Sequence, residues 1–132
     1  MSTRSSISLK NSEGQFETIY CHSDGYLEHN GRILLEYYTT YEDVKRLMEL
    51  GDLSLLAKNL YPDPAVMHRF GNEQDGVCVA YGRDRREVGT EAQITTTIGC
   101  EQEYNYVFQD GVWSYFTDSV NNKTTLTPEN VM

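Results

Sequence analysis

The sequence predicts an α+β fold: a mainly antiparallel sheet of about five strands with two or three short helices on one face, in a single domain over residues 1–132. Three observations carry that expectation. Period-two alternation opens the chain and returns in its last third. Helical periodicity is confined to residues 30–60. Finally, 39 % hydrophobic and 23 % charged residues over 132 positions suit one globular core rather than a disordered or coiled-coil chain.

In Ser6–Lys10, Ile7 and Leu9 point one way and Ser6, Ser8 and Lys10 the other. Asn11-Ser-Glu-Gly14 is a turn signal, and Gln15–Cys21 alternates again, which predicts a hairpin. His22–Tyr26 leaves the second strand as a turn around Asp24-Gly25. A first helix is expected from Asn30-Gly31, with Ile33, Leu34, Tyr37 and Tyr38 on one face. Thr39 and Glu42 fit a capping box for a second helix, whose apolar stripe is Val44, Leu47 and Met48. Its outer side offers Glu42/Arg46 and Lys45/Glu49 pairs, and Gly51 is placed to end it. Asp52 is expected to cap a short third helix over Leu53–Leu60, stopped by Tyr61-Pro-Asp-Pro64. Residues 61–76, with His68 and Arg69, read as a loop. Val77–Tyr81 reads as a central strand, Arg83–Gly89 as a charged excursion, and Thr90–Ile98 as β-prone. Glu101–Gln109 and Val112–Phe116 flank Asp110-Gly111, the strongest hairpin signal in the chain. One helical turn at Pro128-Glu129 is the only order expected in the tail.

Charge is distributed unevenly. Twenty acids against eleven bases give a net charge of −9. Residues 1–86 carry −3; residues 87–132 carry −6, with Lys123 as their single base. The cluster Arg83-Asp84-Arg85-Arg86 stands just before this acidic third. Direct binding of nucleic acid through a basic face is disfavoured by that balance. The absence of an apolar run near 18 residues and of a signal-type N-terminus makes a cytoplasmic protein without membrane attachment the expectation. Cys21, Cys78 and Cys100 are odd in number and form no CxxC pair, so the reading is three buried or half-buried thiols rather than a disulfide framework.

Two sets of residues invite function. The first is acidic: Glu101 and Glu103, placed i and i+2 on a strand, would form a short carboxylate row extended by Asp110 and Asp118. Tyr104, Tyr106 and Trp113 would add contact area where their faces are exposed, as tyrosine and tryptophan do at interfaces. That set describes a non-enzymatic module whose partner is a basic protein surface or a nucleic-acid-binding complex; plain solubility explains the same charge without a partner. The second set, His22, Asp24, Tyr26, Arg83 and Arg85, would converge in a pocket for a nucleotide or phosphate, as a binding protein or simple enzyme. Its bland counterpart is a local turn at Asp24-Gly25 and a solvated charged loop. His22, Asp24, His29 and His68 match no metal-ligand spacing, and neither a cofactor nor a catalytic set is assigned.

The runs Ile19-Tyr-Cys-His-Ser-Asp-Gly-Tyr26, Gly31-Arg-Ile-Leu-Leu-Glu-Tyr-Tyr38, Leu50-Gly-Asp-Leu-Ser54 and Ala80-Tyr-Gly-Arg-Asp-Arg-Arg-Glu87 resemble a family of small proteins carried by phages, prophages and other mobile elements. The family motif looks like Tyr-Cys-His-Trp-Asp-Gly-Tyr, with Ser23 here at the position of the aromatic. The resemblance spans residues 19–87 and implies origin rather than chemistry. By class it suggests an inhibitor of host defence, of anti-CRISPR or anti-restriction type, acting inside the bacterial host.

Overall fold

A computed structural model describes residues 3–68 and 71–132, so Arg69 lies outside the described residues. Strand β1 (Ser5–Lys10) turns at Asn11–Gly14 into β2 (Phe16–Cys21), and the pair is antiparallel with Ile7 opposite Ile19. A π-helical turn at Leu27–Gly31 runs into α1 (Arg32–Tyr37), followed by α2 (Tyr41–Leu50). β3 (Leu53–Leu55) then lies parallel to β2, with Leu53 opposite Cys21. β4 (Val79–Ala80) leads into α3 (Tyr81–Arg85). The chain ends in β5 (Gln93–Thr95), β6 (Tyr104–Gln109), β7 (Val112–Phe116), a 3₁₀ turn at Val120–Asn122, and β8 (Thr124–Thr125).

Among the described residues these eight strands form one mixed sheet in the order β4-β3-β2-β1-β6-β7-β8, with β5 paired to β2. The fold is α+β, but the expected five-stranded, mainly antiparallel sheet is corrected. Two crossovers explain the difference. The helical segment brings the chain back beside the last residue of β2, where Leu53 pairs with Cys21 and β3 runs parallel to it. Residues 96–103 carry the chain from β5, beside β2, to β6 on the far side of β1, and β6 runs parallel to β1. Crossovers join elements distant in sequence and leave no signal in local periodicity.

One face of the sheet holds the core. Ile7, Leu9, Ile19, Leu53, Tyr106, Phe108 and Trp113 meet Leu34, Val44, Leu47 and Met48 from the helices, all at most 4 % exposed. Helix α2 is fastened over β2 by Lys45, whose ammonium donates to the buried Glu17 carboxylate at 2.5 Å; Asn11 Nδ2 supplies a second donor at 3.1 Å. A carboxylate withdrawn from water needs such partners. The opposite face is polar, and yet Ser6, Ser8 and Asn105 on it are buried.

Several local expectations change. The N-cap of α2 is Thr40, which accepts from Asp43 N, and not Thr39. Arg46 pairs with Asp43 and Lys45 with Glu17, in place of the predicted i,i+4 partners. The predicted third helix is strand β3: Leu53 and Leu56 are wholly buried, and Asp52 accepts from Tyr20 N across the sheet instead of capping a helix. Val79–Ala80 is an edge strand rather than a central one, and the charged excursion after it is α3, ended by Arg86 at φ 59°. Cys100 is exposed, while Cys21 and Cys78 are buried. The Asp110-Gly111 hairpin forms as read, both residues having positive φ (54° and 78°).

Gly51 ends α2 at φ 78°, and a Cβ there would lie 2.2 Å from Thr90 O. Gly14 has φ 77° with open space around it. Gly14→Ala is therefore expected to cost only its left-handed backbone, about 1 kcal/mol. Gly51→Ala adds a backbone collision and is expected to cost at least ~2 kcal/mol more. Urea unfolding of the two variants measures the difference.

Candidate functional site

The registers bring three segments to one end of the sheet. Ser5 stands opposite Cys21 on one side and Tyr104 on the other, and Asn105 stands opposite Phe116. The His22–Tyr26 turn, the Glu101–Glu103 approach and the Thr117–Asp118 exit are therefore neighbours along one rim. Gly25 seals the corner: its N donates to Thr3 O at 2.7 Å, its O accepts from Tyr106 Oη at 2.6 Å, and a Cβ on it would meet Ser5 at 2.8 Å. Only glycine permits that approach.

The acidic set is partly reassigned. Glu101 and Glu103 are exposed, but β6 begins at Tyr104, so they belong to the crossover and form no strand-spaced row. Asp118 shares their end of the sheet. Asp110 sits at the opposite end, about 20 Å away along β6, in a groove of ≈ 550 Å³ that it shares with Lys10, Thr40 and Tyr41. Tyr106 and Trp113 are 1 % and 4 % exposed, and Trp113 Nε1 donates to Tyr38 O at 2.7 Å. These two rings build the core and offer no contact area. Sequence alternation placed them on one face; the helices covering that face decide their role. Tyr104 is half-buried, stacked on Tyr106 with ring centroids 6.4 Å apart.

Six acids of the last third, Glu91, Glu101, Glu103, Asp110, Asp118 and Glu129, are exposed and carry no ion pair among the described residues. The seventh, Glu87, pairs with Arg85 at 3.3 Å on the surface.

Several residues of the alternative pocket are engaged elsewhere. Arg83 turns inward, donating to Leu60 O at 2.5 Å, Cys78 O at 2.7 Å and Asp84 at 2.9 Å. Its guanidinium is consumed by the fold, as one expects of a half-buried cation beside free carbonyls. His22 Nδ1 is 2.7 Å from Tyr20 Oη, Asp24 takes the left-handed backbone of its turn at φ 55°, and Tyr26 rests against the His29 ring. Among the described residues no group of three or more His, Cys, Asp or Glu side chains is placed to hold a metal ion.

What sequence reading missed is the cluster that takes Arg83. The His68 side chain, 2 % exposed, accepts Gln74 N–H at Nδ1 (3.1 Å), leaving Nε2–H to face Asp84 Oδ2 and Cys78 O, each at 3.2 Å. Both ring nitrogens are engaged, so the resemblance to a catalytic Asp–His pair stops at geometry: no position remains to activate a nucleophile. Burial pushes the Asp84 carboxyl up, but the Arg83 hydrogen bond, the Ala80 N–H and the charge of Arg83 outweigh it and hold the group below 3.8. The cluster ties His68 and Gln74 to Cys78, just before β4, and to Asp84 of α3. A separation of 16 residues, with a loop and a strand between, gives no spacing rule to find it.

Two predictions follow from this clamp. His68→Ala is expected to expose residues 61–76 to limited proteolysis at a protease dose that leaves the parent chain intact. Because the folded Asp84 carboxyl titrates below its unfolded value, its stabilisation is present above about pH 4 and is lost as pH falls through the lower folded value. Asp84→Asn is thus expected to be less stable at neutral pH and to show a shallower acid limb, read by urea unfolding from neutral to acidic pH. Compared with protein-family models, curated proteins and solved structures, the chain matches none.

Proposed function

We propose that the protein is a non-enzymatic binding module that docks on a basic protein surface through the rim carrying Glu101, Glu103 and Asp118. The observation that carries this reading is that these carboxylates stay exposed without ion pairs among the described residues, while Arg83 and Arg85 pair with Asp84 and Glu87 at α3. A patch of one sign raises the encounter rate with a surface of the other sign and fixes its orientation. Among the described residues no helix is long and apolar enough to cross a membrane. The consumed Arg83 removes the main anion-gripping group from the nucleotide-pocket alternative. The resemblance to small phage-borne proteins directs the search for a partner to host defence systems that handle nucleic acid, since their grooves are basic and a carboxylate rim competes for them.

Affinity capture from bacterial lysate at low and high salt tests the reading. The parent chain is expected to retain a nucleic-acid-binding protein at low salt and release it at high salt. The triple variant E101Q/E103Q/D118N is expected to lose that protein. Equal retention by parent and variant would overturn the proposal.

A further inference from the structure

The polar face of the sheet contains a second feature that the rim alone does not explain. Between β2, β5 and the end of the 96–103 crossover lies a cleft of ≈ 210 Å³, lined by Ser6, Thr18, Tyr20, Asp52, Gln93, Glu101 and Gln102 along with Ile19. Its lining is unlike a protein core and unlike an anion site. Asp52, at the entry to β3, and Glu101, on the crossover, both line it. Tyr20 supplies an aromatic face, and the two glutamines supply amide oxygens.

The donors and acceptors already used in the cleft can be counted. Ser6 Oγ donates to Asn105 Oδ1 at 2.8 Å, and Thr18 Oγ1 is bonded to Ser8 Oγ at 2.8 Å. Tyr20 Oη bonds His22. Asp52 Oδ1 accepts from Tyr20 N at 2.9 Å, which fixes the carboxylate. Glu101 has no ion pair among the described residues. The remaining capacity is therefore dominated by acceptors, held on a strand, on a β3 entry and on the crossover. Burial raises the Asp52 carboxyl, the Tyr20 N–H opposes this, and the charge of Glu91 raises it further. Arg4 is the cation whose field reaches Tyr20.

We infer that this cleft receives the guanidinium of an arginine side chain from the basic partner, held between the carboxylates of Asp52 and Glu101 and laid against the Tyr20 ring. A planar fork of five donors is the complement of two carboxylates and two amide oxygens, and it stacks on an aromatic face; an ammonium matches the charge but neither the fork nor the plane. The inference rests on the docking reading above and makes it specific: the rim attracts, and the cleft sets the register of the bound partner.

The test uses the whole chain and three probes: the capped tripeptide acetyl-Gly-Arg-Gly-amide, its lysine counterpart, and agmatine. Amide nitrogen–proton spectra are recorded during titration. The arginine peptide is expected to shift the amides of Tyr20, Asp52, Gln93 and Gln102, and to bind several-fold more tightly than the lysine peptide. E101Q, an exposed substitution that leaves the fold's hydrogen bonds in place, is expected to weaken it at least about tenfold, the scale of removing one carboxylate from a desolvated charge pair. D52N is the second variant, checked for folding by circular dichroism because Asp52 also bonds Tyr20 N. Absence of shifts at these amides, shifts unchanged in E101Q, or equal lysine affinity would overturn the inference. Binding of agmatine without the peptide would also overturn it, by making the cleft a site for a free small cation. The two proposals fail separately. Arginine-peptide binding without salt-sensitive capture sinks the docking reading alone; salt-sensitive capture lost in E103Q/D118N, with no arginine response, sinks the cleft alone.

Discussion

Strand β1 is paired along both edges and covered on both faces, and this confinement governs the rest of the molecule. From Ser5 to Leu9 every residue is buried. Three of the five are serines, and a hydroxyl withdrawn from water must be bonded within the protein. Each one is: Ser5 Oγ accepts from Asn30 Nδ2, Ser6 Oγ donates to Asn105, and Ser8 pairs with Thr18. Those bonds reach the π-helical turn, β6 and β2 in turn. One strand thereby ties the helical layer, the second hairpin and the first hairpin to a common register.

The candidate site inherits its placement from that register. Because β1 stands between β2 and β6, the turn after β2 and the crossover before β6 must meet at its N-terminal end. Asn105 reinforces the junction. Its Oδ1 accepts from Ser6 Oγ and from the backbone N–H groups of Glu101 and Gln102, and its Nδ2 donates to Gln102 O and Phe116 O. One buried amide thus holds the backbone that presents Glu101 to solvent. The carboxylates there are exposed, but the backbone beneath them is not free to wander. A charged rim on an ordered support loses less entropy on docking than the same charges on a loose tail.

Positive charge is handled in the opposite way. Arg83 is satisfied by carbonyls and by Asp84, and His68 by Gln74 and Asp84, so this polar cluster closes on itself. Lys45 closes on Glu17. The anchoring of His68 and the α2–β2 contact draw on bases from the first two-thirds of the chain. The result is a molecule whose bases near the structural seams are occupied while its late carboxylates face water, a separation that net charge alone does not reveal.

Alternation and turn chemistry are local, and the sequence by itself settled what depends on them: both hairpins, the Asp110-Gly111 turn, the apolar stripe of α2 and the termination at Gly51. It also settled the excess of acid in the last third. It misread Leu53–Leu55 because a short apolar run reads alike as a buried helix or a buried strand, and only pairing between Cys21 and Leu53 distinguishes them. It expected Tyr106 and Trp113 at an interface because a ring's residue type does not say which face the helices cover. The two parallel pairings, the inward turn of Arg83, the clamp at His68 and the cleft between Asp52 and Glu101 were decided by tertiary structure alone. Each joins segments distant along the chain, and the energy that joins them, burial of apolar area and satisfaction of withdrawn polar groups, is a property of the assembled core rather than of any window of sequence.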